Sequence, residues 1–268
     1  MYIISYFRYD EKEGMYLAAG EDLLHWKDLN QGKAVLVPDE GYILRDPFLL
    51  ADKEGGFHVF FTDNWRSCTI GHSLSRDLMN WAPVNHIMLM NEYENILNCW
   101  APEVFWNREK EVYQLIWSSG FAPQGWDVTN RIWTAEMSGF HEVKNVRLYF
   151  DPGYPVIDAT VLTEESGYFM AFKDERGNNC SNTDYKAIRT CRFQNTDSGF
   201  EEISDLLTGN LCEGPCLMKK DGIYYLFYDS FGDGTYRVIC SEDFTCWEEI
   251  THLAEFPEQC KHMSIIQI

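Results

Sequence analysis

Short apolar runs that alternate with polar residues recur along the whole chain, and nowhere is the three-to-four-residue period of a long amphipathic helix sustained. FHVFFT (57–62), VYQLIWSS (112–119), GYFMAF (167–172) and IYYLFY (223–228) each read as a strand. Each is followed by a second strand-like run: CTIGHSLS (68–75), RIWTAEM (131–137), KAIRTC (186–191) and YRVICS (236–241). A weak repeat closes each group: EDLLHWKDL (21–29), RDLMNWAPV (76–84), MSGFHEVKNV (137–146), DSGFEEISDL (197–206) and EDFTCWEEI (242–250). About four strands per period is the pattern of a propeller blade, and 268 residues divided by five gives about 54 per blade. The chain therefore reads as all-β, a five-bladed propeller occupying residues 1–268 as one domain. Trp26, Trp81 and Trp247 fall at equal places in the repeat and are expected to pack between blades.

Strand order assigns the blades. The first opens at RDPFLL, the second at WAPEVFW, the third at IDATVLT and the fourth at EGPCLMK. The fifth combines YIISYF, MYLAAGE and the Trp26 segment with the C-terminal HMSIIQI, so both ends of the chain close the ring and remove the open edges. Innermost strands beginning at 46, 101, 158, 213 and 262 would start around one mouth. Each start has a polar residue close by in apolar surroundings: Asp46, Glu103, Asp158, Glu213 and His262. The loops at 7–14, 61–66, 117–121, 172–179 and 228–234 would rim the same mouth.

Composition narrows the partner. The chain has 22 Lys plus Arg against 42 Asp plus Glu, a formal charge of −20, with 15% aromatic residues. Such a surplus repels phosphate backbones, so neither nucleic acid nor an anionic membrane is expected. Nine cysteines without a CxxC pair suggest neither a disulfide framework nor a zinc site, and most should be reduced core residues. The N-terminus lacks the pattern of a signal peptide, and the expectation is a cytoplasmic protein. The pattern sets no oligomeric state.

Carboxylates that converge on one pocket resist joint ionisation, and splitting their pKa values yields the acid and base needed to hydrolyse a glycosidic bond. Trp65, Trp100, Trp117, Phe121, Trp126 and Phe231 would lie near the rim and offer faces on which sugar rings stack. At this point the chain resembles glycoside hydrolase family 43, whose members are five-bladed propellers. The likeness rests on RDP (45–47), WAPE (100–103), FDPGYPVIDAT (150–160), FKDE (172–175), EGP (213–215) and HMS (262–264), in this order.

The resemblance implies an inverting hydrolase of α-L-arabinofuranosides or β-D-xylosides from plant-polysaccharide fragments. It makes Asp46 the general base, Glu213 the general acid, and Asp158 the group that holds the acid's pKa up. Arg45, Trp65, Trp100, Glu103, Trp117 and Lys173 are the substrate-binding candidates. No cofactor is required, although His262 matches a family histidine beside which a water-coordinated calcium is often held; here Met263 follows it in place of the usual small residue. Fructosidases of family 32 share the RDP but need an upstream Asn-Asp-Pro-Asn strand, which residues 1–44 lack. Two other functions fit such a propeller. A glycoside phosphorylase would need a cationic phosphate cradle from Arg8, Arg45, Arg66, Arg176 or Lys173. A non-catalytic sugar-binding propeller would use the carboxylates only as hydrogen-bond acceptors.

Overall fold

The computed structural model describes residues 1–177, 186–196 and 199–268, with the side chain of Trp126 also outside the described set. Cys180, residues 178 and 179 of the third rim loop and the first two residues of the fourth repeat copy thus lie outside the described residues. Five antiparallel sheets surround a central axis. The chain starts with β1 (Tyr2–Phe7), β2 (Tyr16–Gly20) and β3 (Lys27–Asp28). Blade one follows as β4 (Arg45–Ala51), β5 (Phe57–Thr62), β6 (Thr69–Ser75) and β7 (Asn85–Met88). Blade two is β8 (Trp100–Asn107), β9 (Val112–Ser119), β10 (Arg131–Ser138) and β11 (Glu142–Phe150). Blade three is β12 (Val156–Glu164), β13 (Gly167–Asp174) and β14 (Ala187–Phe193), with a single bridge from Arg192 to Glu201 where a fourth strand was expected. Blade four is β15 (Cys212–Lys220), β16 (Ile223–Ser230), β17 (Thr235–Ser241) and β18 (Glu248–Glu249). The last strand, β19 (Lys261–Gln267), pairs with β1 and completes blade five, as the strand pattern predicts.

The apolar residues sort into five clusters, one at each junction between neighbouring blades. The repeat motif supplies one aromatic to each: Trp26, Trp81, Phe140, Phe200 and Trp247. Its Asp has a local job. Asp22, Asp77 and Asp243 each accept two backbone N–H bonds from the residues two and three positions on, an Asx turn that delivers the aromatic to the junction.

All five innermost strands carry the same bulge. Two residues stand opposite one: Asp46-Pro47 against Phe61, Ala101-Pro102 against Trp117, Asp158-Ala159 against Phe172, Gly214-Pro215 against Tyr228, and His262-Met263 against Tyr6. The first of each pair has left-handed backbone, with φ of 51°, 47°, 54°, 57° and 41°. Four of these are not glycine, a strain that proteins concentrate at functional sites. The opposing aromatics are all buried and each packs toward the preceding blade. No helix among the described residues is long and apolar enough to cross a membrane. The described cysteines are free, and Cys99, Cys191, Cys212, Cys216 and Cys260 are buried.

Candidate active site

The bulge re-aims side chains, and its register decides who reaches the mouth. The residue before each left-handed position is Arg45, Trp100, Ile157, Glu213 or Lys261, and the first four line a pocket of about 430 Å³ on the axis. That size lies within the range of small-molecule sites, about 300–1,000 Å³. Asp46, Asp158 and His262, at the left-handed position itself, also line the pocket. Thr62, Trp65, Asp127, Lys173, Glu175 and Phe231 complete the wall.

Two sequence-derived placements change. Glu103 lies two residues beyond the left-handed Ala101 and does not line the pocket; it is buried along the channel with Thr160, to which it is hydrogen-bonded. Burial pushes its carboxyl up to about 8, with Thr160, His262 and the Val161 N–H only partly opposing and Asp158 adding to the rise. Trp117 is not a rim platform. It is the blade-two member of the aromatic set opposite the bulges, 1% exposed, and its indole N–H donates to Ser119 Oγ at 3.0 Å. Phe121 is half-buried and packs 5.7 Å from Trp133.

Asp46 is held by two side chains, one of them itself fixed by the backbone. Its Oδ1 faces His262 Nδ1 at 3.1 Å, its Oδ2 accepts from Thr62 Oγ1 at 2.7 Å, and the same hydroxyl accepts from the Ala101 N–H at 2.8 Å. Burial alone would raise its carboxyl, but His262, Arg45 and Thr62 outweigh it and hold Asp46 down to about 2. His262 is raised to about 9: burial opposes the charge, and Asp46, Asp158 and Glu103 more than restore it. Glycine is needed beside it, since a Cβ on Gly214 would lie 2.9 Å from the imidazole ring.

Asp158 and Glu213 occupy the opposite wall. Gly214 N–H donates to Asp158 Oδ2 at 3.1 Å, and Asp158 N–H donates to Ser118 Oγ at 3.1 Å. Burial raises Asp158 to about 6; His262 and Lys173 oppose, while Glu213 and Asp46 add to the rise. Glu213 stays below its ordinary value because Lys173, whose Nζ lies 2.9 Å from Oε2, overcomes the cost of burial. The two carboxyls therefore split in the opposite sense to the expected one: here Glu213 lifts Asp158. Lys173 also reaches Glu175 Oε2 at 2.9 Å and lies 5.0 Å from the Phe231 ring.

The rim is aromatic on the blade-one side. Arg45 stacks between Phe7 (4.7 Å) and Trp65 (4.5 Å), and its Nη1 is 3.7 Å from Glu11 Oε2. Trp65 is 42% exposed and meets Trp100 edge-on at 5.9 Å. Lys261, the fifth member of the outer ring, pairs with Asp229 at 2.9 Å. Thr62, Asp127 and Glu175 were missed by sequence reasoning. Thr62 and Glu175 were within named rim segments or beside them; Asp127, in the short helix α1 (Trp126–Thr129), had no signal beyond its loop.

With Nδ1 of His262 facing Asp46, the ring atom that could meet a water-coordinated calcium is Nε2. Asp46, Asp158 and Glu103 make the surroundings of the ring negative. Among the described residues no group of three or more His, Cys, Asp or Glu is arranged to hold a metal.

Comparison with known proteins agrees with this geometry. A family model described as "Probable glycosyl hydrolase domain", of the group related to family 43, matches residues 1–268. An α-L-arabinofuranosidase of Bifidobacterium longum subsp. longum is 26% identical over 196 residues, which covers 62% of this chain and 18% of that protein. The chain thus spans less than a fifth of that relative. A thermostable family-43 glycoside hydrolase superposes with a TM-score of 0.65 at 17% identity, covering 85% of this chain and 80% of the other. A family-43 enzyme from Xanthomonas citri, solved with xylotriose, gives 0.62 at 13% identity over 79% and 74% of the two chains. With the repeat, the five sheets and the carboxylate-lined mouth in place, these matches make the chain a member of the family-43-related glycosyl hydrolase domains.

Proposed function

We propose that the protein hydrolyses α-L-arabinofuranosides or β-D-xylosides of plant-polysaccharide fragments with inversion, and does so inside the cell on imported oligosaccharides. The observation that carries this reading is a small axial pocket lined by Asp46, Asp158 and Glu213, in which Asp46 is held down to about 2 while Asp158 is raised to about 6. Asp46, ionised above about pH 2, is suited to draw a proton from water. Asp158 and Glu213 line the same pocket and the charge of Glu213 helps to raise Asp158, so the pair takes up a proton as pH falls through about 6. Glu213, with a quarter of its side chain exposed, is the member that can reach a leaving oxygen, and Asp158 is the member that keeps the proton available. Trp65, Trp100 and Phe231 give the sugar apolar faces. The pentoside substrate class follows the arabinofuranosidase relative and the xylotriose-bound neighbour.

Phosphorolysis is disfavoured because four of the five candidate cations already carry carboxylate partners. Arg8 pairs with Asp28, Arg45 with Glu11, Arg176 with Asp174, and Lys173 with Glu213 and Glu175. The test is release of pentose from arabino- and xylo-oligosaccharides without phosphate. Asp46→Asn and Glu213→Gln should each lose roughly 100-fold or more in kcat. A wild type that binds these sugars without turnover would make the protein a binding propeller instead.

A further inference from the structure

Behind Glu213 lies a row of buried charges that the mechanism above does not use. Lys173 Nζ bridges Glu213 and Glu175 at 2.9 Å each, and Lys186 Nζ grips the other oxygen of Glu175 and also donates to its backbone carbonyl at 3.1 Å. Lys173, Glu175 and Lys186 are 3%, 8% and 2% exposed, so solvent screens these contacts little. The row is anchored to the site through the backbone as well. Lys186 has left-handed φ (47°), its N–H donates to the Arg176 carbonyl at 3.0 Å, and its carbonyl accepts from Cys212 N–H at 2.7 Å, one residue before Glu213.

We propose that Glu175 and Lys186 are positioning residues that, through Lys173, set how firmly Glu213 is held as an anion and so govern when it carries the acid proton. The inference rests on Glu213 being the general acid. Its physics is alternation of sign. Lys173 divides its charge between two carboxylates, so Glu175 loosens its hold on Glu213, and Lys186 in turn neutralises Glu175. Among the described residues, Arg45, Asp46, Asp158 and Asp229 also act on Glu213, and none of them forms an ion pair with Lys186 or Glu175.

The sign of each perturbation is therefore fixed in advance. Removing Glu175 leaves Lys173 to Glu213 alone and favours the anion; removing Lys186 leaves an unbalanced negative charge and favours the acid. The experiment is a carboxyl-¹³C titration of glutamate-labelled protein, with the Glu213 signal assigned by its loss in Glu213→Gln. Relative to wild type, Glu175→Gln should lower the Glu213 midpoint and Lys186→Met should raise it, each by about one pH unit, and the double variant should return close to wild type. Lys186→Arg, which keeps the charge, should leave the midpoint in place. Shifts of the same sign, or none, overturn the relay. Should Lys186→Met fail to fold, a midpoint that stays or rises in Glu175→Gln is enough to overturn it. The alkaline limb of kcat/KM on a xylo-oligosaccharide should follow the titration. A midpoint that moves while the limb stays keeps the relay and removes Glu213 from the acid role.

Discussion

The two walls of the pocket use the same device, a carboxylate beside a buried cation, and reach different ends. On the blade-one wall, Asp46 and His262 occupy the same left-handed bulge position of neighbouring strands and pair one to one, at 3.1 Å, deep on the axis. On the opposite wall, Lys173 serves two carboxylates, and a third, Asp158, shares the field. A one-to-one pair locks a base in its ionised form. Burial and the charges of Glu213 and Asp46 raise Asp158 to about 6, so in the proposed mechanism a proton on this wall is close to exchange. The difference lies in the number of partners and in exposure, since a quarter of the Glu213 side chain is open to solvent.

Breaking the one-to-one pair should have the largest effect. In His262→Gln, burial would dominate at Asp46 and raise its carboxyl from about 2. The acid limb of kcat/KM should move upward by one or more pH units, roughly a tenfold loss in the acid range with little change at pH 8. An unmoved limb would show that His262 does not hold the base. Next comes the rim. Trp65→Ala removes an exposed face stacked on Arg45, and should raise KM roughly tenfold while sparing kcat, the mark of lost uniform binding. A fall in kcat alone would contradict that reading.

The smallest effect belongs to the channel beneath both walls. Glu103 is raised to about 8 when folded, so it stays protonated where the unfolded chain has ionised. The folded protein therefore loses stability as pH rises from the unfolded carboxyl value, about 4.3, toward 8. Glu103→Gln carries no proton to lose, so its Tm should match wild type at pH 5 and exceed it by a few degrees at pH 8. Equal Tm values at both pH values would mean the carboxyl is not held neutral.

How much of this was readable in the chain depends on periodicity. The blades were legible because a turn motif recurs whose aromatic packs at every junction and whose Asp shapes the turn in three copies, at Asp22, Asp77 and Asp243. Asp46, Asp158 and His262 were legible because they occupy one bulge position. Glu103 was misaligned with them, yet Pro47, Pro102 and Pro215 mark the same place in three blades and pair Asp46 with Ala101 and Gly214. Trp117 was misread for a similar reason. Tyr6, Phe61, Phe172 and Tyr228 stand at its place in the other blades, and a recurring aromatic packs. Lys186 had no comparable signal, since a single buried lysine becomes meaningful only once Glu175 is seen beside it.

The division of labour between the walls can be tested most directly by leaving-group dependence in Glu213→Gln. A methyl pentoside needs its departing oxygen protonated, whereas a 2,4-dinitrophenyl pentoside does not. The account predicts a loss of roughly 100-fold or more in kcat/KM on the methyl glycoside and less than about tenfold on the dinitrophenyl one. Equal losses on both would contradict it, because Glu213 would then be acting on something other than the leaving oxygen.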